Sequence, residues 1–363
     1  MEIIGTIKKV QYKVKLANQL NTVDWADFDI NKIPTSCLIN NGKTSFAISK
    51  WVSPKRTRSY PYERVYNTLN IAKKITVIPI VKDEGAKGDR DFIQWDTISL
   101  MSLLDVYVIP AYYCKAKKRG EKITNQAFDN AYILSKIKEI ETFHSSALHW
   151  NLNELNENFD TLLEKVKNHY SQIEQDTGVK LHNLNGIDNF KEKISKEVSA
   201  FMVFSREKAK NAQNREMQTI QPKEALSTLT KAKITITNYL GGHYSLTVDE
   251  IDFEDNCVSL IEAKHTKNAL LPSRSDIKDG LLKMILHSNL SEVQIEAKAY
   301  THKPILELTS IKIIGKINSN DNEDALMRFF EANSFNKQQK NLVNTLFEEA
   351  SINNFVVSIK HTV

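Results

Sequence analysis

The chain has 363 residues, 41% hydrophobic and 26% charged, a balance that excludes a disordered chain and a length that suits two domains of ordinary size. Lys plus Arg number 49 and Asp plus Glu 44, a formal charge of +5, which permits a polyanionic partner without requiring one. The three cysteines, Cys37, Cys114 and Cys257, are far apart, which excludes a CxxC zinc ribbon and a disulfide-stapled secreted domain.

The opening MEIIGTIKKVQYKVKL lacks a signal-peptide pattern, and no apolar run approaches the roughly 20 residues of a bilayer span. The expectation is a cytoplasmic protein with no membrane partner. Residues 1 to about 112 read as mixed and strand-leaning. ITVIPIV and VYVIPAYY are β-branched and aromatic, and the proline in each predicts an edge strand or a strand end. Between them, KDEGAKGDRDFIQWDT carries Asp83, Glu84, Asp89, Asp91 and Asp96. It has neither the terminal G-K-[ST] of a P-loop nor the ligand spacing of an EF-hand. It predicts a hydrogen-bonded loop leading into a buried helix.

Residues 51–66 interleave Lys55, Arg56, Arg58 and Arg64 with Tyr60, Tyr62 and Tyr66. Cations of this kind bind phosphates and can read guanine edges, and tyrosines can stack on bases. The same tyrosines suit a surface loop anchored to a core, and the pattern alone leaves both readings open. Lys115, Lys117, Lys118, Arg119 and Lys122 form a second basic cluster, expected at a solvated turn. From about 123 to 215 apolar residues recur at helical spacing, as in ILSKIKEIETF and FDTLLEKVKNHYSQIEQ. His144 and His149 lack the glutamate of an HExxH site and read as structural. A domain boundary is expected near 180, giving a mixed N-terminal domain over 1–180 and a second domain over 181–363.

From about 232 the period becomes two. KITITNYL, HYSLTVDEIDF and CVSLIEAKHT predict three strands, followed by the helix SDIKDGLLKMILHSNL with Ser275 as N-cap. EVQIEAKAYT and ILELTSIKIIGKI predict further strands, EDALMRFFEAN and NKQQKNLVNTLFEEA helices, and FVVSIKHTV a last strand. The fold class is α/β (α+β): a mixed sheet flanked by helices, with an N-terminal mixed α/β domain.

Chemistry concentrates between Thr247 and Lys264. Glu262 and Lys264 are two apart and share one strand face. With Asp255-Asn256 as the hairpin loop, Asn supplying the left-handed backbone of a tight turn, Asp249 falls opposite Glu262 and Thr247 opposite Lys264. That face also carries Ile251, Phe253, Val258 and Leu260, so it is expected to be partly buried. Two carboxylates meeting there disfavour joint ionisation unless a cation joins them. A hard divalent ion such as Mg²⁺, which takes one or two carboxylates with water and phosphate oxygens, suits that position. Asp252 and Glu250 are the alternatives to Asp249. A second IEAK at 295–298 lacks an acidic hairpin, and Glu296 and Lys298 read as surface residues.

Asp249, then Glu262-Ala263-Lys264 after the turn, resembles the PD-(D/E)XK motif of restriction-endonuclease-like nucleases. The predicted order of strands and helix from 232 to 300 is similar to that family's core. Val248 stands where many members have proline. The resemblance covers about 70 residues and implies a restriction-endonuclease-like core. It implies Asp249 and Glu262 as Mg²⁺ ligands and Lys264 as the catalytic lysine. Type II restriction enzymes are the nearest type, cutting double-stranded DNA at a specific sequence, so a homodimer and a cognate methyltransferase are expected partners. Lys55, Arg56, Arg58, Lys267 and Arg274 are the expected DNA contacts, with His265 and Lys278 further candidates and Glu197 or Glu224 as an added helical carboxylate. A less specific nuclease of this class, or a non-catalytic DNA-binding protein on the same scaffold, are the alternatives.

Overall fold

A computed structural model describes residues 2–54, 60–194, 232–238 and 243–362. The chain divides into two compact units, Met1–Asn18 with Gln213–Val363, and Gln19–Ala212. This division differs from a single cut near 180. The first strand, β1 (Glu2–Ile7), buries Ile3, Gly5 and Ile7 and leaves Glu2 and Ile4 exposed. That alternation marks a half-buried strand, but it does not name the partner. The partners lie more than 200 residues away, so the N-terminus joins the C-terminal half.

The unit from Gln19 to Ala212 holds a sheet of β2 (Thr22–Asp24), β3 (Ser36–Asn40), β4 (Ser45–Lys50), β5 (Lys73–Pro79) and β8 (Tyr107–Ala111), in that order. Helix α1 (Tyr60–Tyr66) lies between β4 and β5 in the chain. Pro79 ends β5 and Pro110 sits in the edge strand β8, where a missing N–H breaks no ladder between two neighbours. The acidic connection forms the short β6 (Val81–Asp83) and β7 (Arg90–Phe92), then the buried helix α2 (Trp95–Leu103). Buried Asp83 accepts bonds from Gly85 N–H (2.8 Å) and Arg90 Nε (2.9 Å) and lies 2.8 Å from His182 Nδ1. The loop is thus held by its own hydrogen bonds, as expected. β9 (Tyr113–Arg119) and β10 (Lys122–Phe128) form a separate two-stranded ribbon. The helices α3 (Asn130–Thr142), α4 (Ala147–Asn153), α5 (Phe159–Thr177) and α6 (Asn185–Ile194) follow. Their Ile133, Ile137, Ile140 and Trp150 close the core over Phe46, Ile48, Ile75 and Val77.

The other unit has two sheets. β1 pairs in parallel with β11 (Ala232–Asn238), which pairs with β12 (His243–Val248). The second sheet runs β13 (Glu250–Glu254), β14 (Cys257–Thr266), β17 (Thr301–Ser310), β19 (Val356–His361) and β18 (Lys316–Asn318). Helix α7 (Arg274–Ser288) carries the chain from β14 towards the parallel β17. β15 (Ser291–Ile295) and β16 (Lys298–Ala299) leave to extend the first sheet beside β1. α8 (Glu323–Ala332) and α9 (Lys337–Ile352) precede β19. Ser273, two residues before the expected Ser275, caps α7 by accepting the Asp276 N–H.

The segment after β1 is sewn to α9. Glu349, fully buried, accepts Lys15 N–H (2.9 Å) and Leu16 N–H (3.0 Å) on Oε2 and the Tyr12 hydroxyl (2.9 Å) on Oε1. Asn353 accepts Lys13 N–H and donates to its carbonyl. Removing the carboxylate orphans two backbone donors, at about 1–3 kcal/mol each. Glu349→Ala is therefore expected to destabilise this unit by roughly 3 kcal/mol, read as a lower urea midpoint and lost hydrogen-exchange protection at residues 15 and 16. Unchanged protection there contradicts this anchoring.

Candidate active site

β12 and β13 are one strand with a break at Asp249. Val248 pairs with Ala232 in the first sheet, whereas Glu250 pairs with Ile261 in the second. The β13–β14 ladder runs from Glu250↔Ile261 to Glu254↔Cys257, the register expected from an Asp255-Asn256 loop. Asp255 takes the left-handed backbone, with φ 54°, rather than the expected Asn256. Thr247 does not face Lys264; it pairs with Lys233, because the chain changes sheet at Asp249. Ile251, Val258 and Leu260 are buried as expected, but Phe253, near the turn, is 42% exposed and rests edge-on against Tyr300.

Asp249 and Glu262 are brought together. Asp249 Oδ2 accepts the N–H of Ala263 at 3.1 Å, beside Glu262 on β14. The Glu262 side chain is completely buried. Its Oε1 lies 2.9 Å from Lys264 Nζ and 2.6 Å from Lys283 Nζ. Its Oε2 is buried with no hydrogen-bond partner. Lys264 also donates to Asp279.

Asp279 and Lys283 come from α7, which presents Asp279, Lys283 and His287 four residues apart on one face. The helix is buried on several sides, by Ile277, Leu281, Leu282, Met284 and Ile285 as expected, and also by Lys278, Asp279 and His287. Gly280 permits the close approach. A Cβ there would fall 2.6 Å from Leu306 Cδ1 and 3.3 Å from Lys264 Cε. Neither ring nitrogen of fully buried His287 has a partner.

The electrostatics are those of a site with surplus negative charge. Burial and the neighbouring Glu262 charge push the Asp249 carboxyl up. Burial pushes Glu262 up as well, but the ammonium groups of Lys283 and Lys264 outweigh it and hold its carboxyl below the ordinary range. Burial works against the Lys264 ammonium, yet Glu262 and Asp279 raise its pKa. Burial brings His287 down to about 3, so it is neutral at pH 7. Three carboxyl groups, those of Asp249, Glu262 and Asp279, gather here against the two amines of Lys264 and Lys283. The free buried oxygen of Glu262 and this deficit both fit a cation shared with Asp249. Among the described residues no three His, Cys, Asp or Glu side chains gather around one point. The donor set is therefore two carboxylates, which suits an ion that completes its shell with water or phosphate oxygens.

Other expected residues separate into those that remain available and those that do not. Lys267 and Arg274 are exposed, between β14 and α7 and at the first residue of α7. His265 is exposed beside Thr309. Lys278 is fully buried and donates to Asn18 at 2.8 Å, so it does not face solvent as a phosphate contact would. Asp252 is exposed and pairs with Ser259, placing it on the opposite face from Glu262. Glu296 and Lys298 are exposed. In the other unit, Tyr62 and Tyr66 are buried, and Tyr62 packs edge-on against Trp51. Arg64 donates to the Lys50 carbonyl. Those tyrosines are anchors rather than stacking platforms. Lys55, Arg56, Arg58, Glu197 and Glu224 lie outside the described residues.

Asp279, Lys283 and His287 were not among the expected residues. Their four-residue spacing, which sets Asp279, Lys283 and His287 on one helix face, was the available signal. No family model matches the chain, and no curated protein or solved structure matches it.

Because the Asp249 carboxyl is raised, its ionisation opposes folding: the opposition is absent below the unfolded value, near 3.9, and grows as pH rises through the folded value. Asp249→Asn is expected to raise the melting temperature at pH 7 in EDTA, with the gain vanishing at about pH 4. Thermal melts at the two pH values measure this, and a lower melting temperature for the variant at pH 7 contradicts it.

Proposed function

We propose that this chain is a Mg²⁺-dependent endonuclease of the PD-(D/E)XK type, with the restriction-endonuclease-like core formed by β11–β14, α7 and β17. The supporting observation is the hairpin register that sets Asp249 beside a buried Glu262 with a free oxygen, and puts Lys264 on the same carboxylate. Asp249 and Glu262 would hold the metal. When bound, Mg²⁺ would supply a polarised phosphodiester and a more acidic water.

The chain's own groups have distinct tasks in this reading. Lys264, fixed between Glu262 and Asp279, stays protonated and stabilises negative charge developing on the phosphoryl oxygens. Lys283 keeps Glu262 ionised, ready to act as a ligand. Water attacks phosphorus in line and gives up a proton to solvent, the P–O3′ bond breaks, and the departing O3′ takes up a proton from solvent, so the products carry a 5′-phosphate and a 3′-hydroxyl. Exposed Lys267 and Arg274 suit contacts to backbone phosphates.

One such site cuts one strand. Double-strand cleavage at a two-fold symmetric sequence then calls for two copies, most simply a homodimer. Sequence-specific cutting by a type II restriction enzyme also calls for a methyltransferase acting on the same sequence.

Plasmid DNA is expected to give discrete fragments with Mg²⁺ and none with EDTA. Asp249→Ala and Lys264→Ala should each lower the cleavage rate by at least about 10³-fold. Duplex binding by both variants in Ca²⁺ should persist. A smear contradicts sequence specificity, and full activity of Asp249→Ala contradicts the ligand assignment.

A further inference from the structure

The β9–β10 ribbon carries a feature that the nuclease site does not use. Directly opposed residues in an antiparallel pair share a face. The pairs Arg119↔Lys122, Lys117↔Thr124 and Lys115↔Ala127 therefore place Lys115, Lys117, Arg119 and Lys122 on one side. All four are exposed. None makes an ion pair among the described residues, and Arg119 and Lys122 are like charges set directly opposite, which is destabilising. Glu121, at the tip, is the ribbon's one carboxylate against five cations.

The fold orients this ladder. Lys118 belongs to the other face, opposite buried Ile123, and reaches towards Gly178 at the C-terminal end of α5. Cations are favourable at such an end, so Lys118 has a structural use that the other four lack. Lys115 to Arg119 spans about 14 Å at roughly 3.4 Å per residue. A DNA strand presents about four phosphates over that length, one per roughly 3.4 Å of axis. Among the described residues the ribbon belongs to no larger sheet; its other face rests on α5 and its second strand bonds to the Glu84 carbonyl through the Ile123 N–H, and a two-stranded ribbon has the dimensions that a DNA major groove admits.

We propose that this face of the β9–β10 ribbon is a docking surface for the phosphate backbone of duplex DNA, with Lys115, Lys117, Arg119 and Lys122 each neutralising a phosphate. The choice of DNA as the polyanion rests on the nuclease reading; the charge ladder itself does not.

Fluorescence anisotropy of a labelled DNA duplex, titrated with full-length protein in EDTA at several salt concentrations, tests this without involving metal or cleavage. Replacing Lys115, Lys117, Arg119 and Lys122 together by Gln is expected to weaken binding on the order of 10²-fold. The slope of log affinity against log salt should become shallower by about 3 to 4. Lys117→Gln alone should lower it by about one. Lys115→Arg, Lys117→Arg and Lys122→Arg combined should bind as the original does. Unchanged affinity and slope in the Gln variants overturn the proposal. Loss of binding in a protein that cuts no DNA leaves the docking surface standing and removes only the nuclease reading.

Discussion

A fully buried carboxylate held by two ammonium groups organises the C-terminal unit. Glu262 sits mid-strand on β14 with a β-ladder on one flank, a parallel strand on the other and α7 above it. An isolated carboxylate in that position would take up a proton. Lys264 and Lys283 prevent this, and each depends on Glu262 in turn. Gly280 provides the space, and Asp279 accepts a further hydrogen bond from Lys264. Such an arrangement contributes little net stability, because desolvating the ions offsets their attraction. Its value lies in keeping charge fixed in a dry place.

Asp249 makes the site unbalanced. The strand bends there from one sheet to the next, and the carboxylate lies beside Glu262, accepting the Ala263 N–H. A sheet chosen for stability alone would place an apolar residue at this junction. An unbalanced, partly unsatisfied buried cluster is the kind of local conflict that functional sites retain. In the proposed nuclease reading, the two lysines and the free oxygen of Glu262 would turn that conflict towards a bound cation and an anionic substrate.

Much of this could be read in the sequence. Period-two alternation placed β11 to β14, and a two-residue loop with a polar flank fixed the register that brings Asp249 to Glu262. The alternation could not show that β12 and β13 serve different sheets, so Thr247 was expected opposite Lys264 and is not. Asp255 rather than Asn256 adopts the left-handed turn, since both residues tolerate it. The polar stripe of α7 gives no sign of burial in the sequence, because helical polar residues usually face water, whereas this helix is covered on several sides. Tyr62 and Tyr66 were ambiguous for the opposite reason: a tyrosine suits a core and a nucleic acid equally well. β1 shows the limit of local pattern, since EIIGTI marks a strand yet carries no sign that its partners are β11 and β15.

The central claim is that Asp249 and Glu262 share one hard divalent cation. Anomalous diffraction from crystals soaked in Mn²⁺ addresses it most directly, because the signal locates the ion independently of any activity. The account predicts one strong peak about 2.0–2.2 Å from oxygens of both carboxylates. A peak elsewhere, or none beside these two residues in an otherwise well-ordered crystal, would contradict it.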